Sequence, residues 1–296
     1  MNLNADQKEK LFARVLKLAQ EGWGHTHPNP MVGAFVVERG EVVAEGYHHA
    51  CGEPHAEIEA LTSLGRKPDP SASMFISLEP CSTHGKTPPC TGAILESGIN
   101  KVFVAATDPN PKHAGRGLGL LRNAGVVVEL ADEPIQVRAE RLNFIFNHNM
   151  RTGDPLIALK LAESSNGMVA ERSGQPSSVT GKEARADVMQ WRRLFPAICV
   201  GSGTVLVDDP SLTSRLPDET WCPVRILTDS SLSTLAEGVS PRKVHVDEFS
   251  DRSIVLTTAK GMANAERVAR AKEIGVRLIE VEESDGGGID PSCLRS

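Results

Sequence analysis

Three short motifs, each at the boundary of a predicted helix or strand, constrain the fold of this chain more than any other feature. His55-Ala56-Glu57 stands at the start of a predicted helix, and Pro80-Cys81 follows the predicted strand Met74–Leu78. Pro89-Cys90 opens a second helix. The order helix, strand, loop, helix therefore predicts an α/β domain in which an imidazole and two thiols come together.

The residue types in this set favour a catalytic zinc site. His55, Cys81 and Cys90 are ligands that Zn²⁺ prefers, and three protein ligands leave the fourth position for water. The positive end of the helix dipole at Cys90 favours a thiolate there. Glu57 lies two residues after the histidine, so it can take a proton from the water and deliver it to a departing amine. A His-x-Glu triplet followed by Pro-Cys motifs is typical of zinc deaminases that act on nucleobases.

Composition limits the partners of the chain. Its 296 residues, 40% hydrophobic and 24% charged, suit two domains of a globular protein. We see no apolar run of about 20 residues and no signal peptide, so we expect no membrane span and a cytoplasmic location. The net charge of −6 and an aromatic content of 4% argue against nucleic-acid binding. A small phosphorylated substrate therefore fits the composition better than a polymer does. We interpret the remaining cysteines as ordinary thiols: Cys51, Cys199, Cys222 and Cys293.

Alternating hydrophobic patterns predict two α/β domains, over residues 1–150 and 155–296, with a linker at 151–155. In the first domain the predicted helices also include 5–21, with Leu11, Val15, Leu18 and Ala19 on one face, and 118–123 and 134–149. The other predicted strands there are 32–37, 41–46, 101–106 and 126–130. In the second domain we predict helices at 182–194 and 263–274 and strands at 156–161, 197–201, 225–228, 253–256 and 277–281.

The loop between the two cysteines makes the prediction more specific. It contains eight residues, Ser82 to Pro89, where polynucleotide and cytidine deaminases usually have two. The segment from Leu78 to Cys90 resembles the deaminase half of the bifunctional riboflavin-biosynthesis deaminase/reductase family. The resemblance spans residues 7–153, and further matching motifs are Pro28-Asn29-Pro30, Glu45-Gly46-Tyr47-His48, Gly52-Glu53-Pro54, Asp108-Pro109-Asn110-Pro111 and Gly115-Arg116-Gly117.

The resemblance implies a cytidine-deaminase-like α/β/α sandwich for this half. The implied reaction is hydrolytic removal of an amino group from a diamino-hydroxypyrimidine that carries a ribosylamino phosphate. Asn29, His48, His84 and Lys86 fall at positions that resemble the family's substrate contacts. Their chemistry agrees, since amide and imidazole groups can bind a pyrimidine edge and lysine supplies a charge for phosphate.

Residues 156–215 also resemble the family's reductase domain, which implies a dihydrofolate-reductase-like α/β fold and NADPH as cofactor. By position, the cofactor contacts would be Ala162, Thr204, Asp208 and Ser230. Arg192, Leu212 and Arg215 would hold the substrate and its phosphate, for which arginine offers a bidentate fork.

Three departures from the family pattern affect the reductase half. The family's Ser-Leu-Asp-Gly is here Ser164-Ser165-Asn166-Gly167, and Pro176 and Ser178 replace a serine and a tryptophan. The sequence is also shorter than the pattern, so we expect a truncated domain, incomplete at the C-terminus, with an exposed sheet edge that a homodimer partner could cover. We therefore expect an impaired reductase beside a working deaminase.

Two alternatives stay open at this point. One is a deaminase of a free nucleoside or of tRNA, against which the long inter-cysteine loop and the negative net charge speak. The other is a structural zinc module in an interaction protein. Structural sites usually close with four protein ligands, and His84 could supply the fourth.

Overall fold

The structure, a computed structural model, describes residues 3–83, 88–170, 172, 175 and 179–294. The chain forms two compact units, Met1–Ile157 and Ala158–Ser296. Four positions named above lie outside the described residues: His84, Lys86, Pro176 and Ser178. No helix of the described part is long and apolar enough to cross a lipid bilayer.

The first unit alternates helices and strands around one sheet. In chain order its elements are α1 (Ala5–Ala19), β1 (Gly33–Glu38), β2 (Glu41–Tyr47), α2 (Ala56–Leu64), β3 (Ser73–Ile76), α3 (Cys90–Ser97), β4 (Lys101–Val104), α4 (Arg116–Asn123), β5 (Val127–Leu130), α5 (Glu133–Leu142) and α6 (Phe144–Thr152). The strand order is β2-β1-β3-β4-β5. β1 pairs antiparallel with β2 and β3, whereas β3, β4 and β5 are mutually parallel.

The two faces of this sheet carry different side chains because successive residues of a strand point to opposite faces. One face presents a row of phenylalanines, Phe35, Phe75 and Phe103, paired across neighbouring strands. The Phe75 and Phe103 rings stack with centroids 4.3 Å apart, and Phe12 of α1 meets Phe75 edge-on at 5.2 Å. The opposite face is aliphatic and packs against α2, α3 and α4, so the first unit is an α/β/α sandwich.

The structure corrects two predictions in this unit. The predicted helix over 134–149 is interrupted at Asn143, whose backbone leaves the helical region (φ −106°, ψ 32°), so two helices replace one. Helix α1 buries Phe12 and Leu16 with Val15 and Ala19, rather than Leu11 and Leu18. The ring contact between Phe12 and Phe75 determines which face of α1 is buried, and the periodicity of the helix alone does not predict that face.

The second unit contains α7 (Lys182–Leu194), β6 (Ala197–Gly201), α8 (Ser202–Asp208), β7 (Ser214–Arg215), β8 (Thr220–Trp221), β9 (Val224–Thr228), α9 (Lys243–Val246), β10 (Ser253–Thr257), α10 (Ala259–Met262), α11 (Ala265–Glu273) and β11 (Arg277–Glu280). Four strands form a parallel sheet in the order β11-β10-β9-β6, and β7 pairs with β8. Aliphatic side chains such as Leu227 and Val255 form its core with Val205, Leu232 and Val244.

The strand predicted at 156–161 does not form, which is the largest correction in the second half of the chain. Residues 155–163 have no regular structure, and the side chains of Ile157, Leu159 and Leu161 are exposed. Their alternation of apolar residues predicts a strand, but a strand also needs a neighbouring strand with which to form hydrogen bonds. In the described sheet the edge strand β6 pairs only with β9, so this segment has no such partner. The helix predicted at 263–274 is shorter, because Asn264 caps α11 by accepting a hydrogen bond from the Arg267 N–H.

Candidate metal centre

Three element boundaries in the first unit bring the predicted ligands together. His55 is the N-cap of α2, Cys90 is the first residue of α3, and Cys81 lies in the segment after β3. The start of α3 holds Cys81 directly, since the Thr91 N–H donates to the Cys81 carbonyl at 3.2 Å. The Cys90 N–H donates to Cys81 Sγ, also at 3.2 Å. The unpaired N–H groups of a helix N-terminus thus stabilise a negative sulfur at this position.

The three side chains have the separations that a tetrahedral zinc ion requires. His55 Nδ1 lies 3.2 Å from Cys90 Sγ and 3.6 Å from Cys81 Sγ. A zinc ion bound at about 2.3 Å to sulfur and about 2.0 Å to nitrogen holds two such ligands about 3.5 Å apart. Among the described residues these three form the group of metal-binding side chains whose ligand atoms converge, all within 4.8 Å of one another. The donor set therefore fits zinc, with the histidine facing the site through Nδ1.

The two cysteines differ in their affinity for a proton. The hydrogen bond from the Cys90 thiol lowers the pKa of Cys81 to about 4, with a further contribution from His55. The pKa of Cys90 is raised by this same contact with Cys81 and by burial. Hydrogen bonding to Cys81 also raises the pKa of His55. The cluster thus carries a thiolate at Cys81 and retains a proton at Cys90, which a divalent cation would displace.

Glu57 lies in the first turn of α2 beside this cluster. Its side chain is only 3% exposed, and burial raises its pKa from 4.5 to about 7. The carboxyl group is within hydrogen-bonding reach of the Cys90 thiol. A carboxyl group with a pKa near neutrality can both accept and donate a proton at working pH. The geometry therefore offers an acid–base group next to the three ligands.

Asn29 and His48, two of the predicted substrate contacts, lie next to His55. His48 is buried, and its ring meets the His55 ring edge-on with centroids 5.4 Å apart. Its Nδ1 lies 3.0 Å from the Pro54 carbonyl oxygen, and its Nε2 lies 3.1 Å from Asn29 Nδ2. The carbonyl can only accept and the amide nitrogen can only donate, so His48 is neutral with its proton on Nδ1. Burial, which lowers the pKa of His48, agrees with this state.

Asn143 is a residue near this site that the sequence did not single out. Its Oδ1 accepts from the Met31 N–H at 2.8 Å, and its Nδ2 donates to the Met31 carbonyl at 2.9 Å. Met31 follows Asn29 by two residues, so the junction of α5 and α6 fixes the segment that carries Asn29. In the structure this role accompanies the interruption of the predicted helix at Asn143. The sequence offers no signal for either.

In the second unit, the three predicted substrate positions lie close together. Arg192 donates through Nη1 to the Thr213 carbonyl at 2.7 Å, directly after the buried Leu212. Burial lowers the pKa of Arg192, and the positive charge of Arg215 lowers it further, so the two guanidinium groups face the same region. Two adjacent positive charges offer a site for an anion such as phosphate.

Three of the four predicted cofactor positions follow neighbouring strands of the parallel sheet. Ser230 follows β9, and its carbonyl accepts from the hydroxyls of Thr257 and Thr258 after β10, at 3.1 and 3.0 Å. Thr204 and Asp208 lie on α8, which follows the adjacent strand β6 and packs near the turn after Ser230. These positions share the carboxyl edge of a parallel sheet, where nucleotide cofactors commonly bind. Ala162 is half-buried and lies in the segment that forms no strand.

Comparisons with known proteins agree with both units. Residues 5–106 match the family model of the cytidine and deoxycytidylate deaminase zinc-binding region, and residues 155–284 match that of the RibD C-terminal domain. The riboflavin biosynthesis protein RibD of Bacillus amyloliquefaciens is 42% identical over 82% of this chain. The same protein of Escherichia coli K12 is 45% identical over 76% of the chain. The chain belongs to the RibD family.

Solved RibD structures have the same fold. A RibD structure from Acinetobacter baumannii superposes with a TM-score of 0.79 at 32% identity, covering 96% of this chain and 76% of that one. A diaminohydroxyphosphoribosylaminopyrimidine deaminase/5-amino-6-(5-phosphoribosylamino)uracil reductase from Thermotoga maritima gives a TM-score of 0.75 at 33% identity, covering 93% of this chain and 81% of that one. The matches to the Bacillus and Escherichia RibD proteins span 67% and 64% of their lengths. As in RibD, a cytidine-deaminase-like domain precedes a reductase-like domain.

Proposed function

We propose that the first unit is the zinc-dependent deaminase of riboflavin biosynthesis and acts on diaminohydroxyphosphoribosylaminopyrimidine, a small phosphorylated pyrimidine. The observation that carries the proposal is the convergence of His55, Cys81 and Cys90 beside the buried carboxyl of Glu57. The similarity to RibD proteins supports this substrate over the free nucleosides and tRNA considered as alternatives.

The chemistry is a hydrolytic exchange of an amino group for a carbonyl oxygen. When bound, zinc supplies the Lewis acidity that makes water nucleophilic at neutral pH. The water oxygen bonds to the ring carbon that carries the amino group. Glu57 moves one proton of the water to the adjacent ring nitrogen and the other to the amine. The carbon–nitrogen bond then breaks with its electron pair on nitrogen, and ammonia leaves.

Other residues of the unit orient the substrate. Because the Asn29 amide nitrogen donates to His48, its oxygen is left to accept from an N–H on the pyrimidine edge. His48 is itself held through the Pro54 carbonyl, and Asn143 fixes the backbone that carries Asn29. Lys86, outside the described residues, would supply the charge for the phosphate, with His84 as a further contact.

Substituting Glu57 by glutamine tests this proposal. We expect deamination to fall on the order of 10²- to 10⁴-fold, because an amide cannot carry the proton, while about one zinc per chain is retained. Glu59→Gln, a half-buried carboxyl two residues further along α2, is the matched control and should leave turnover unchanged. A structural zinc module would bind zinc and show no deamination in the unsubstituted protein. Faster turnover of cytidine than of the ribosylaminopyrimidine phosphate would favour a nucleoside deaminase.

For the second unit we propose NADPH binding at the carboxyl edge of its parallel sheet. When bound, NADPH supplies the hydride for the opened ribose of the deaminated product. Thr204, Asp208 and Ser230 would hold the cofactor there, and Arg192 and Arg215 the phosphate. We propose that this reduction is slower than deamination, because the strand predicted before Ala162 does not form and Asn166 replaces an acid. Following product formation with and without NADPH tests this, and equal rates for the two steps would contradict it.

A further inference from the structure

Glu79 is a buried carboxylate of the first unit that the proposed reaction does not use. It stands two residues before Cys81 and is 6% exposed. Its two oxygens accept four backbone hydrogen bonds. Oε2 accepts from the N–H groups of Asp108 and Gly115 at 3.1 and 2.9 Å. Oε1 accepts from those of Gly117 and Leu118 at 2.8 and 3.3 Å.

The four N–H groups belong to the first turn of α4 and to the loop that leads into it. The negative carboxylate stabilises the positive end of this helix. The backbone approach is also close, since a Cβ atom added to Gly117 would lie 2.2 Å from the Pro80 carbonyl oxygen. Helix α4 therefore begins in direct contact with residues 79–81.

Residues 79–81 are held from the other side by α3, through the bonds that Cys90 and Thr91 donate to Cys81. The segment that presents Cys81 is thus fixed between the N-termini of two helices. On the α3 side Cys81 itself accepts, whereas on the α4 side Glu79 accepts. The Glu79 backbone N–H adds a bond to the Ala106 carbonyl at 2.8 Å, at the end of the neighbouring strand.

The loop that Glu79 holds, residues 107–115, lies beside the metal centre. It follows β4, which is parallel to β3, so it leaves the sheet at the same carboxyl edge as Cys81. Asp108 in this loop is half-buried, and it accepts from the Asn110 N–H at 2.8 Å. The Asp108 N–H donates to Glu79 at 3.1 Å, so the loop lies against the segment that carries the ligand Cys81.

We infer that Glu79 is a positioning residue of the deaminase: it orders the 107–115 loop against Cys81, so that this loop and the metal centre face the substrate as one rigid surface. The inference rests on the proposed deaminase function. The role needs both carboxylate oxygens, because each accepts two N–H groups. An amide in this place would point its NH₂ at two donors.

The test compares Glu79→Gln with Glu38→Gln in the full chain. Glu38 is also a buried carboxylate, and it accepts from the Arg66 guanidinium and the Asp69 N–H. Glu38 lies at the end of the sheet opposite Glu79 and Cys81. Its neighbour Val37 pairs with Ser73 at the start of β3, whereas Glu79 and Cys81 follow the end of that strand. We expect both variants to lose thermal stability. Only Glu79→Gln should raise the KM for the pyrimidine phosphate, on the order of 10-fold or more, with zinc retained and kcat less affected.

Hydrogen–deuterium exchange gives a readout independent of turnover. The amides of Gly115, Gly117 and Leu118 should exchange slowly in the unsubstituted protein and in Glu38→Gln, and rapidly in Glu79→Gln. Equal KM values for the two variants, or unchanged exchange at these amides, would overturn the inference. An unsubstituted protein that binds zinc but deaminates nothing would refute the proposed function instead, while the exchange data still decide whether Glu79 orders the loop. Where Glu79→Gln does not fold, Glu79→Asp, with a shorter reach, replaces it in both measurements.

Discussion

The side chain of Asn143 pairs with the backbone of Met31 through two hydrogen bonds, one in each direction, across 112 positions of sequence. The backbone of Asn143 leaves the helical region and separates α5 from α6. The pairing connects the last two helices of the first unit to the segment that enters β1.

We expect Asn143→Ala to destabilise the first unit by about 2–4 kcal/mol, because it leaves a buried N–H and a buried C=O of Met31 without partners. Urea denaturation measures the change. Asn149→Ala, on the exposed surface of α6, should cost less than about 0.5 kcal/mol and serves as control. Equal losses for both variants would show that the Met31 pairing contributes nothing.

Helix α2, whose N-cap is the ligand His55, packs directly on the β2 backbone at Gly46. A Cβ atom at Gly46 would lie 2.4 Å from the Glu59 Cβ and 2.5 Å from the Ala60 nitrogen, both backbone or near-backbone atoms. Gly46→Ala must therefore shift α2, and we expect lower stability, by about 1–3 kcal/mol, together with weaker zinc binding. Thermal unfolding and metal analysis after dialysis measure the two effects.

Gly119 offers the opposite case. It lies inside α4 with a negative φ, and a Cβ atom there would meet nothing within 4 Å. Gly119→Ala should therefore stabilise the chain by about 0.5–1 kcal/mol, because alanine loses less backbone entropy in a helix. A loss of stability at Gly119, or none at Gly46, would contradict the packing described.

His245 gives the second unit an acid-sensitive core. Its side chain has no exposed surface, and neither ring nitrogen has a hydrogen-bond partner in the described part of the chain. Burial lowers its pKa from 6.5 to about 4. The charges of Arg225 and Arg242 lower it further, whereas those of Asp229 and Asp209 act in the opposite direction.

The pH dependence follows from the sign of this shift. Above pH 6.5 His245 is neutral in both the folded and the unfolded chain, so its contribution to stability is fully present. Between pH 6.5 and pH 4 only the unfolded chain takes up the proton, so the free energy of unfolding falls, by about 3 kcal/mol at most. His245→Leu should flatten this part of the stability profile, measured by urea denaturation at each pH. An unchanged slope would contradict the prediction.

Arg225, buried with no exposed surface, is fully paired. Its guanidinium forms two 2.7 Å bonds to the Asp247 carboxylate and further bonds to the carbonyls of Ser211, Val244 and Phe249. Arg225→Met should destabilise the second unit by about 3–5 kcal/mol, because it strands the Asp247 charge.

Fluorescence-detected unfolding measures this loss. The exposed Arg277 on β11 is the control, and Arg277→Met should change stability by less than about 0.5 kcal/mol. A loss at Arg225 no larger than at Arg277 would mean that the ion pair is dispensable.

Much of the fold follows from local sequence signals. The bounds of α7 and β6 were predicted to the residue, since Gly181 precedes the helix and a Phe-Pro pair separates the two elements. The grouping of His55, Cys81 and Cys90 was also predicted, because each stands where a helix begins or a strand ends. Such boundaries carry strong signals in residue type, and a parallel sheet gathers them at one edge.

The parts that escaped prediction depend on partners far away in sequence. Asn143 and Glu79 act by hydrogen bonds to backbone groups, and a backbone group has no signature in the sequence. The alternating residues Ile157, Leu159 and Leu161 gave a strong strand signal, yet pattern alone cannot supply the neighbouring strand that a ladder needs. The rotation of α1 likewise depends on its contact with Phe75, which lies on the distant strand β3.

The turn at Arg39 and Gly40 joins β1 to β2 at the end of the sheet opposite the metal ligands. Both residues are exposed and have positive φ values, 52° and 94°, and a Cβ atom at Gly40 would touch nothing. Loop tips of this kind tolerate inserted sequence. The turn is therefore a suitable attachment point for a fluorophore or for an immobilising peptide, which would report on the protein or anchor it to a surface without crowding the zinc site.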